Sequence, residues 1–196
     1  MNIGLLGFGV VGGGVWELAQ ENRALNVKKV LVRREAPSLG KAAVQDVEAI
    51  LRDPEIDTVV EVLGGLHPAY EWICRALAAG KDVVTANKAV ISAYYRELTA
   101  LAHENGAALR CTAAVGGGIP WLVNLQRCRR VDTVTEVGGI MNGTTNFIMD
   151  AMARQGADFP AVLQRAQELG YAEADPSADI DGDDIRRKLC ISANIA

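Results

Sequence analysis

Histidine is almost absent from this chain. Only His67 and His103 occur among its 196 residues. His67 precedes a proline in an expected loop, and His103 lies on the polar face of an expected helix. Neither has neighbours spaced as zinc ligands or as a hydrolase triad, so histidine-based chemistry finds no support. The four cysteines, Cys74, Cys111, Cys128 and Cys190, form no CxxC pair. They read as reduced structural thiols, with Cys74 and Cys190 serving as small hydrophobes in apolar helical patterns. No apolar run reaches about 18 residues, which argues against a membrane span. The opening MNIGLLGFG has no charged leader and no small-residue cleavage site, and reads as a buried strand rather than a signal peptide. No basic block or aromatic-basic stripe marks a nucleic-acid surface, since the net charge of −4 is spread along the chain. Repeats and low-complexity tracts are missing too. With these absences a cytoplasmic, globular protein is expected.

What is present is a 49% hydrophobic content, enough for a packed core. Residues Asn2–Leu6 predict a short buried strand. Gly7, Gly9 and Gly12 follow as G-x-G-x-x-G, and a helix is expected over Gly13–Asn22. Further strands are expected over Val27–Val32, Thr58–Leu63, Asp82–Thr85 and Ala108–Thr112. Helices are expected over Val44–Leu51, Ala69–Ala79 (closed by Gly80) and Ser92–Asn105 (closed by Gly106). Strands alternating with helices imply an α/β fold with a doubly wound parallel sheet of the Rossmann type.

The pattern changes near Ala113, where a second, α+β domain is expected, giving domains over 1–112 and 113–196. The glycine-rich turn Val115-Gly-Gly-Gly-Ile-Pro120 leads into a helix to about Cys128. Val131–Ile140 alternates apolar and polar residues and predicts a half-exposed strand. Helices are expected from the Asn142-Gly-Thr-Thr-Asn146 segment to Arg154, over Pro160–Leu169, and from Asp183 onward, with an acidic loop over Tyr171–Asp181. The chain stops inside an apolar helical stretch, Leu189–Ala196, without a cap. On that ground it is expected to be a fragment.

A G-x-G-x-x-G motif alone is a weak signal, but here it sits between an expected strand and an expected helix. Gly7, Gly9 and Gly12, with Phe8 and Val11 between them, would let the backbone approach a pyrophosphate at a helix N-terminus. The second strand of such a unit ends in Asp or Glu when NAD is bound, because a carboxylate binds the ribose 2′-hydroxyl. Arg33-Arg34 stands there instead. A guanidinium grips a 2′-phosphate, which favours NADP. Solvated surface arginines are the alternative, and the adjacent Glu35 leaves NAD open. Gly64-Gly65 and Thr85-Ala-Asn-Lys88 follow parallel strands, at the end of the sheet where ligands bind, so Gly64, Thr85 and Lys88 join the candidate site.

Taken in order, the glycine fingerprint, Thr85-Ala-Asn-Lys88, Val115-Gly-Gly-Gly-Ile-Pro120, Gly139-Ile-Met-Asn-Gly-Thr-Thr-Asn146, Ala166-Gln-Glu-Leu-Gly-Tyr-Ala-Glu-Ala-Asp-Pro176 and Asp184-Ile-Arg-Arg-Lys188 resemble the homoserine dehydrogenase family over essentially the whole chain. The resemblance implies NADPH- or NADH-dependent reduction of L-aspartate 4-semialdehyde to L-homoserine, on the route to threonine and methionine. It implies that Lys188 transfers the proton, that Lys88 is a second functional lysine, and that Glu173 and Asp184 bind substrate with Asp179 nearby. Gly170 is implied as a cofactor contact. A sodium site is implied on Val115, Gly117 and Ile119, and a homodimer for the full-length protein. One departure stands out: the family's glutamate three residues before that valine is Thr112 here, which brings no charge to the ion.

Asp184 and Lys188 are i,i+4 and share a helix face. By spacing alone they read as an ordinary surface ion pair, worth about 0.3–0.5 kcal/mol. The acidic stretch alone reads as a solvated loop, with Asp181 capping the last helix. The surrounding motifs turn both toward an amino-bearing substrate. Within Asn142–Asn146, capping accounts for one polar residue and leaves others to line a pocket. The competing readings are a related oxidoreductase acting on another carbonyl, and a dinucleotide-binding fragment without turnover.

Overall fold

The computed structural model describes residues 1–196 and folds as two compact units, Met1–Val123 and Asn124–Ala196. The first is built on a six-stranded sheet, all parallel, comprising β1 (Asn2–Leu6), β2 (Asn26–Leu31), β3 (Ala43–Val44), β4 (Thr58–Glu61), β5 (Asp82–Thr85) and β6 (Leu109–Arg110). Their spatial order is β3-β2-β1-β4-β5-β6. That order reverses direction at β1, the switch point where doubly wound sheets open a crevice. The central strands are buried, β4 at every position. This explains why they read as apolar runs rather than as alternating ones.

The crossovers are α1 (Val10–Glu21), α2 (Glu48–Leu51), α3 (Ala69–Ala78) and α4 (Lys88–Glu104). Ile3, Leu5, Val27, Val30 and Val60 from the sheet pack with Ala19 of α1 and Leu39 into one core. Trp16 and Val15 close its edge. Because a parallel sheet needs both faces covered, this burial positions the glycine turn between β1 and α1.

Several elements differ from the sequence expectation. Val44–Leu51 was expected as one helix. It divides into the edge strand β3 and the short α2, because Ala43 and Val44 pair with Val30 and Leu31. That pairing is tertiary and leaves no local periodicity. Helix α1 begins at Val10 rather than Gly13, and α4 at Lys88 rather than Ser92. In α4 the Asn87 side chain accepts from Val90 N and fixes the first turn, while Tyr94 kinks the helix at φ −129° and ψ 19°.

The second unit holds α6 (Gly143–Gln155), α7 (Phe159–Glu168), α8 (Ser177–Ile180) and α9 (Asp183–Ile195); α5 (Trp121–Cys128) runs through the division between the units. Ile148 and Ala151 of α6 pack on Val162 and Ala166 of α7, with Ala172 closing the cluster. Val131–Ile140, expected as a strand, forms none, and Val131 and Ile140 are exposed. Alternation makes a strand only where a ladder partner exists, and Asn124–Ala196 contains no strand. Asp181 does not cap α9 either; the N-cap is Gly182, at φ 80°.

Candidate functional site

In the first unit the glycine turn shapes a cleft. Gly7 adopts φ +106°, a conformation that L side chains rarely take. A Cβ on Gly12 would lie 2.2 Å from the Gly7 carbonyl oxygen, so only glycine lets α1 close this tightly on the turn. Gly9 is the N-cap of α1 and contributes no side-chain hydrogen bond, which leaves N–H groups of the first turn without side-chain partners. Beside them opens a cleft of about 640 Å³ lined by Gly7, Phe8, Gly9, Arg33, Arg34 and Gly64. The size suits a bound cofactor. The Pro68 and Trp72 walls were not foreseen. They come from the crossover after β4, which sequence distance separates from the glycine turn. Val11 is exposed beside the turn and Gly12 is buried beneath it, and neither lines the cleft. Arg33 and Arg34 are both exposed.

At the ends of β4 and β5 lies a buried polar knot. Glu61 is fully buried. Its Oε1 accepts from Leu63 N at 2.8 Å and from Asn87 Nδ2 at 3.3 Å. Its Oε2 accepts from the Thr85 hydroxyl at 2.5 Å. Thr85 Oγ1 accepts in turn from Asn87 N at 2.9 Å, and Asn87 Nδ2 donates to Gly65 O at 2.7 Å. Thr85, expected in the cofactor site, has its hydroxyl engaged within the protein. Lys88, half-buried, opens α4 directly after Asn87. Glu61 was missed by the sequence reading, although a lone carboxylate closing an apolar strand was a visible signal.

The glycine-rich turn Val115–Ile119 is held by its own backbone. Ile119 O already accepts from Trp121 N at 2.8 Å, and Gly116 O from Ile119 N at 2.9 Å. Thr112 opens a short 3₁₀ turn and supplies no carboxylate.

In the second unit the NGTTN segment and the acidic stretch converge. Lys188 Nζ lies 2.6 Å from Asp184 Oδ2 and donates to Met141 O at 2.5 Å. This pair is largely buried, with 16% and 12% of the two side chains exposed, unlike an ordinary surface ion pair. Asn142, also buried, donates from Nδ2 to Asp179 Oδ1 at 2.6 Å and to Asp184 Oδ2 at 3.0 Å. Its Oδ1 accepts from Thr145 N at 2.8 Å and so caps α6. One side chain thus both starts a helix and aligns two carboxylates, a double duty the sequence reading had split among several polar residues.

Other members of the acidic stretch serve locally. Asp175 accepts from Ser177 N, and hydrogen bonding to Ser177 holds its carboxyl below the usual range. Asp183 pairs with Arg186 at 2.8 Å. Glu173 is exposed, and its backbone carbonyl accepts from Gln167 Nε2 at 3.1 Å. Gly170, at φ +77°, closes α7: Gly170 N donates to Gln167 O and Tyr171 N to Ala166 O, the paired bonds of a Schellman cap. The cap accounts for glycine here without a ligand. Chemically, the cluster offers a sheltered ammonium that can donate a proton, and carboxylate oxygens with spare acceptor capacity for a cationic group.

Comparison with known proteins covers both units. Residues 7–112 match the family profile described as homoserine dehydrogenase, NAD binding domain, and residues 120–196 the one described as homoserine dehydrogenase. The chain is 44% identical to a homoserine dehydrogenase of Synechocystis and 39% identical to one of Bacillus subtilis, in each case over 100% of this chain and 48% of the relative. Among solved structures, a homoserine dehydrogenase from Thiobacillus denitrificans superposes with a TM-score of 0.90 at 41% identity, over 96% of this chain and 47% of that one. A hyperthermophilic archaeal homoserine dehydrogenase in complex with NADPH gives 0.88 at 28% identity, over 99% of this chain and 69% of that one.

Proposed function

The chain belongs to the homoserine dehydrogenase family, and from that membership we propose that it carries the dinucleotide cleft and the proton-handling cluster for interconverting L-aspartate 4-semialdehyde and L-homoserine. The chain spans about half the length of the curated relatives it matches, so the activity proposed is that of the whole protein.

Gly7, Phe8 and Gly9 form the cradle for the pyrophosphate, and Arg33 and Arg34 stand where a 2′-phosphate is recognised, which makes NADPH the preferred cofactor. The glycine geometry fits that group, since a Cβ at Gly12 would fill the turn. When bound, the nicotinamide supplies a hydride to the aldehyde carbon. Lys188 then delivers the matching proton to the carbonyl oxygen, so C=O becomes CH–OH, and its positive charge stabilises the oxyanion as it develops. Asp184 holds the Lys188 ammonium, and Asn142 holds Asp184. Asp179, with Glu173 and Asp184, provides carboxylates for the substrate's own ammonium. Lys88 serves as a second cation at the cofactor end. No step is assigned to a sodium ion.

The observation that carries this reading is the sheltered Asp184–Lys188 pair, oriented by Asn142 out of the NGTTN segment. The test is NADP-dependent oxidation of L-homoserine by the whole protein, followed at the nicotinamide absorbance. Lys188→Ala is expected to lower turnover by about 10²–10⁴-fold with NADPH affinity unchanged. Undiminished turnover removes Lys188 from proton transfer, and absence of homoserine oxidation in the unmodified protein overturns the substrate.

A further inference from the structure

The buried knot at the ends of β4 and β5 has no part in the proton chemistry. We propose that Glu61 is the positioning residue of the dinucleotide cleft, locking the Leu63–Gly65 wall to the turn that launches α4 and Lys88. The proposal rests on the dinucleotide reading above.

Burying a carboxylate is costly unless its oxygens are fully hydrogen-bonded. Glu61 is fully buried, and its three donors come from the segment after β4 and from the end of β5 with the turn that follows it. Leu63 N belongs to the wall that lines the cleft with Leu63 and Gly64. The Thr85 hydroxyl belongs to the last residue of β5, and the Asn87 amide to the turn that follows it before α4. Asn87 completes the link by donating to Gly65 O and by capping α4 through Val90 N. Gly64 and Gly65 both hold positive φ and Leu66–Pro68 continues as a loop, so no regular element fixes that wall. A single acceptor group replaces it.

Glutamine has the shape of glutamate but cannot satisfy this knot. With its oxygen toward Leu63 N, its NH2 faces the Thr85 hydroxyl, whose proton then has no acceptor. With the amide reversed, the NH2 faces the Leu63 N–H. Either way one buried donor is orphaned, and the two segments lose their common anchor.

The experiment compares Glu61→Gln, Thr85→Val and the double variant with the unmodified chain. NADPH affinity is read by nicotinamide fluorescence, and amide exchange is followed at Leu63, Asn87 and β1. Each single variant is expected to weaken NADPH about tenfold, and the double variant by about the same factor rather than its square, because one link is broken once. Exchange should quicken at Leu63 and Asn87 and stay slow in β1, which a general loss of stability would not produce. Thr85→Val leaves the carboxylate in place and supplies the second break if Glu61→Gln does not fold. Unaltered NADPH binding in folded variants overturns the proposal while leaving the dinucleotide reading intact. Failure of the unmodified chain to bind NADPH overturns that reading, and the positioning role with it.

Discussion

Single residues set the limits of the cleft. Gly12 leaves no space for a methyl group, because the nearest atom is backbone and cannot swing away. Gly12→Ala is expected to cost about 1–3 kcal/mol of stability and to weaken NADPH binding, measured by denaturant unfolding and by titration. In the proposed reading Arg33 and Arg34 act by charge rather than shape. Arg33→Ala should weaken NADPH by about tenfold, the loss of one charge-assisted hydrogen bond, and leave NADH nearly unaffected. Equal losses for the two cofactors would remove the 2′-phosphate role. Both arginines were legible in the sequence because their position follows from counting along one βαβ unit. Glu61 and Asn142 were not, because their partners lie in other elements, such as Asp179 and Asp184 for Asn142.

At the scale of elements, register is pinned by polar groups at strand ends. Asp57, just before β4, accepts from Asn2 N at 3.1 Å, and Thr58 donates to it at 2.9 Å. The Asn2 hydrogen bond is the main cause that holds the Asp57 carboxyl below its ordinary value, with Thr58 adding to it against the opposing effect of burial. Stability from this contact is therefore full above the unfolded carboxyl value, near 4, and is lost as pH falls through the lower folded one. Asp57→Asn is expected to lower the melting temperature at neutral pH. The gap to the unmodified chain should close below about pH 4, in melts taken from pH 7 to 2. A gap that widens in acid would contradict the linkage. Helix ends were easier to read than helix starts. Gly80, Gly106 and Gly170 all close helices, with Lys81 N to Ala76 O, Ala107 N to Ala102 O and Tyr171 N to Ala166 O as the matching long bonds. The starts of α1 and α4 were set instead by the glycine turn and by the Asn87 cap, ahead of any apolar repeat.

At the scale of the molecule, each unit has a core of its own, Ile3–Leu5–Val30 in the first and Ile148–Val162–Ala166 in the second. All three tryptophans, Trp16, Trp72 and Trp121, lie in Met1–Val123. Trp16 and Trp72, well inside that unit, make tryptophan emission a probe of it. NADPH at about 100 times its dissociation constant should stabilise that unit by roughly 2.7 kcal/mol, seen as a higher midpoint in fluorescence-detected urea unfolding. A midpoint indifferent to NADPH would exclude binding to this unit's folded state. No helix is long and apolar enough to cross a membrane.

The sequence by itself determined the alternating strands and helices, the glycine turn, the arginine pair and the i,i+4 placement of Asp184 and Lys188. Each of these is a local property, set by hydrophobic period, backbone freedom or spacing along one element. Tertiary structure decided which polar groups came together. It paired Ala43–Val44 as an edge strand and left Val131–Ile140 without a ladder. It also turned an ordinary-looking ion pair into a sheltered one. Burial and hydrogen-bond closure depend on groups far apart in the chain, and no local pattern records where those groups meet.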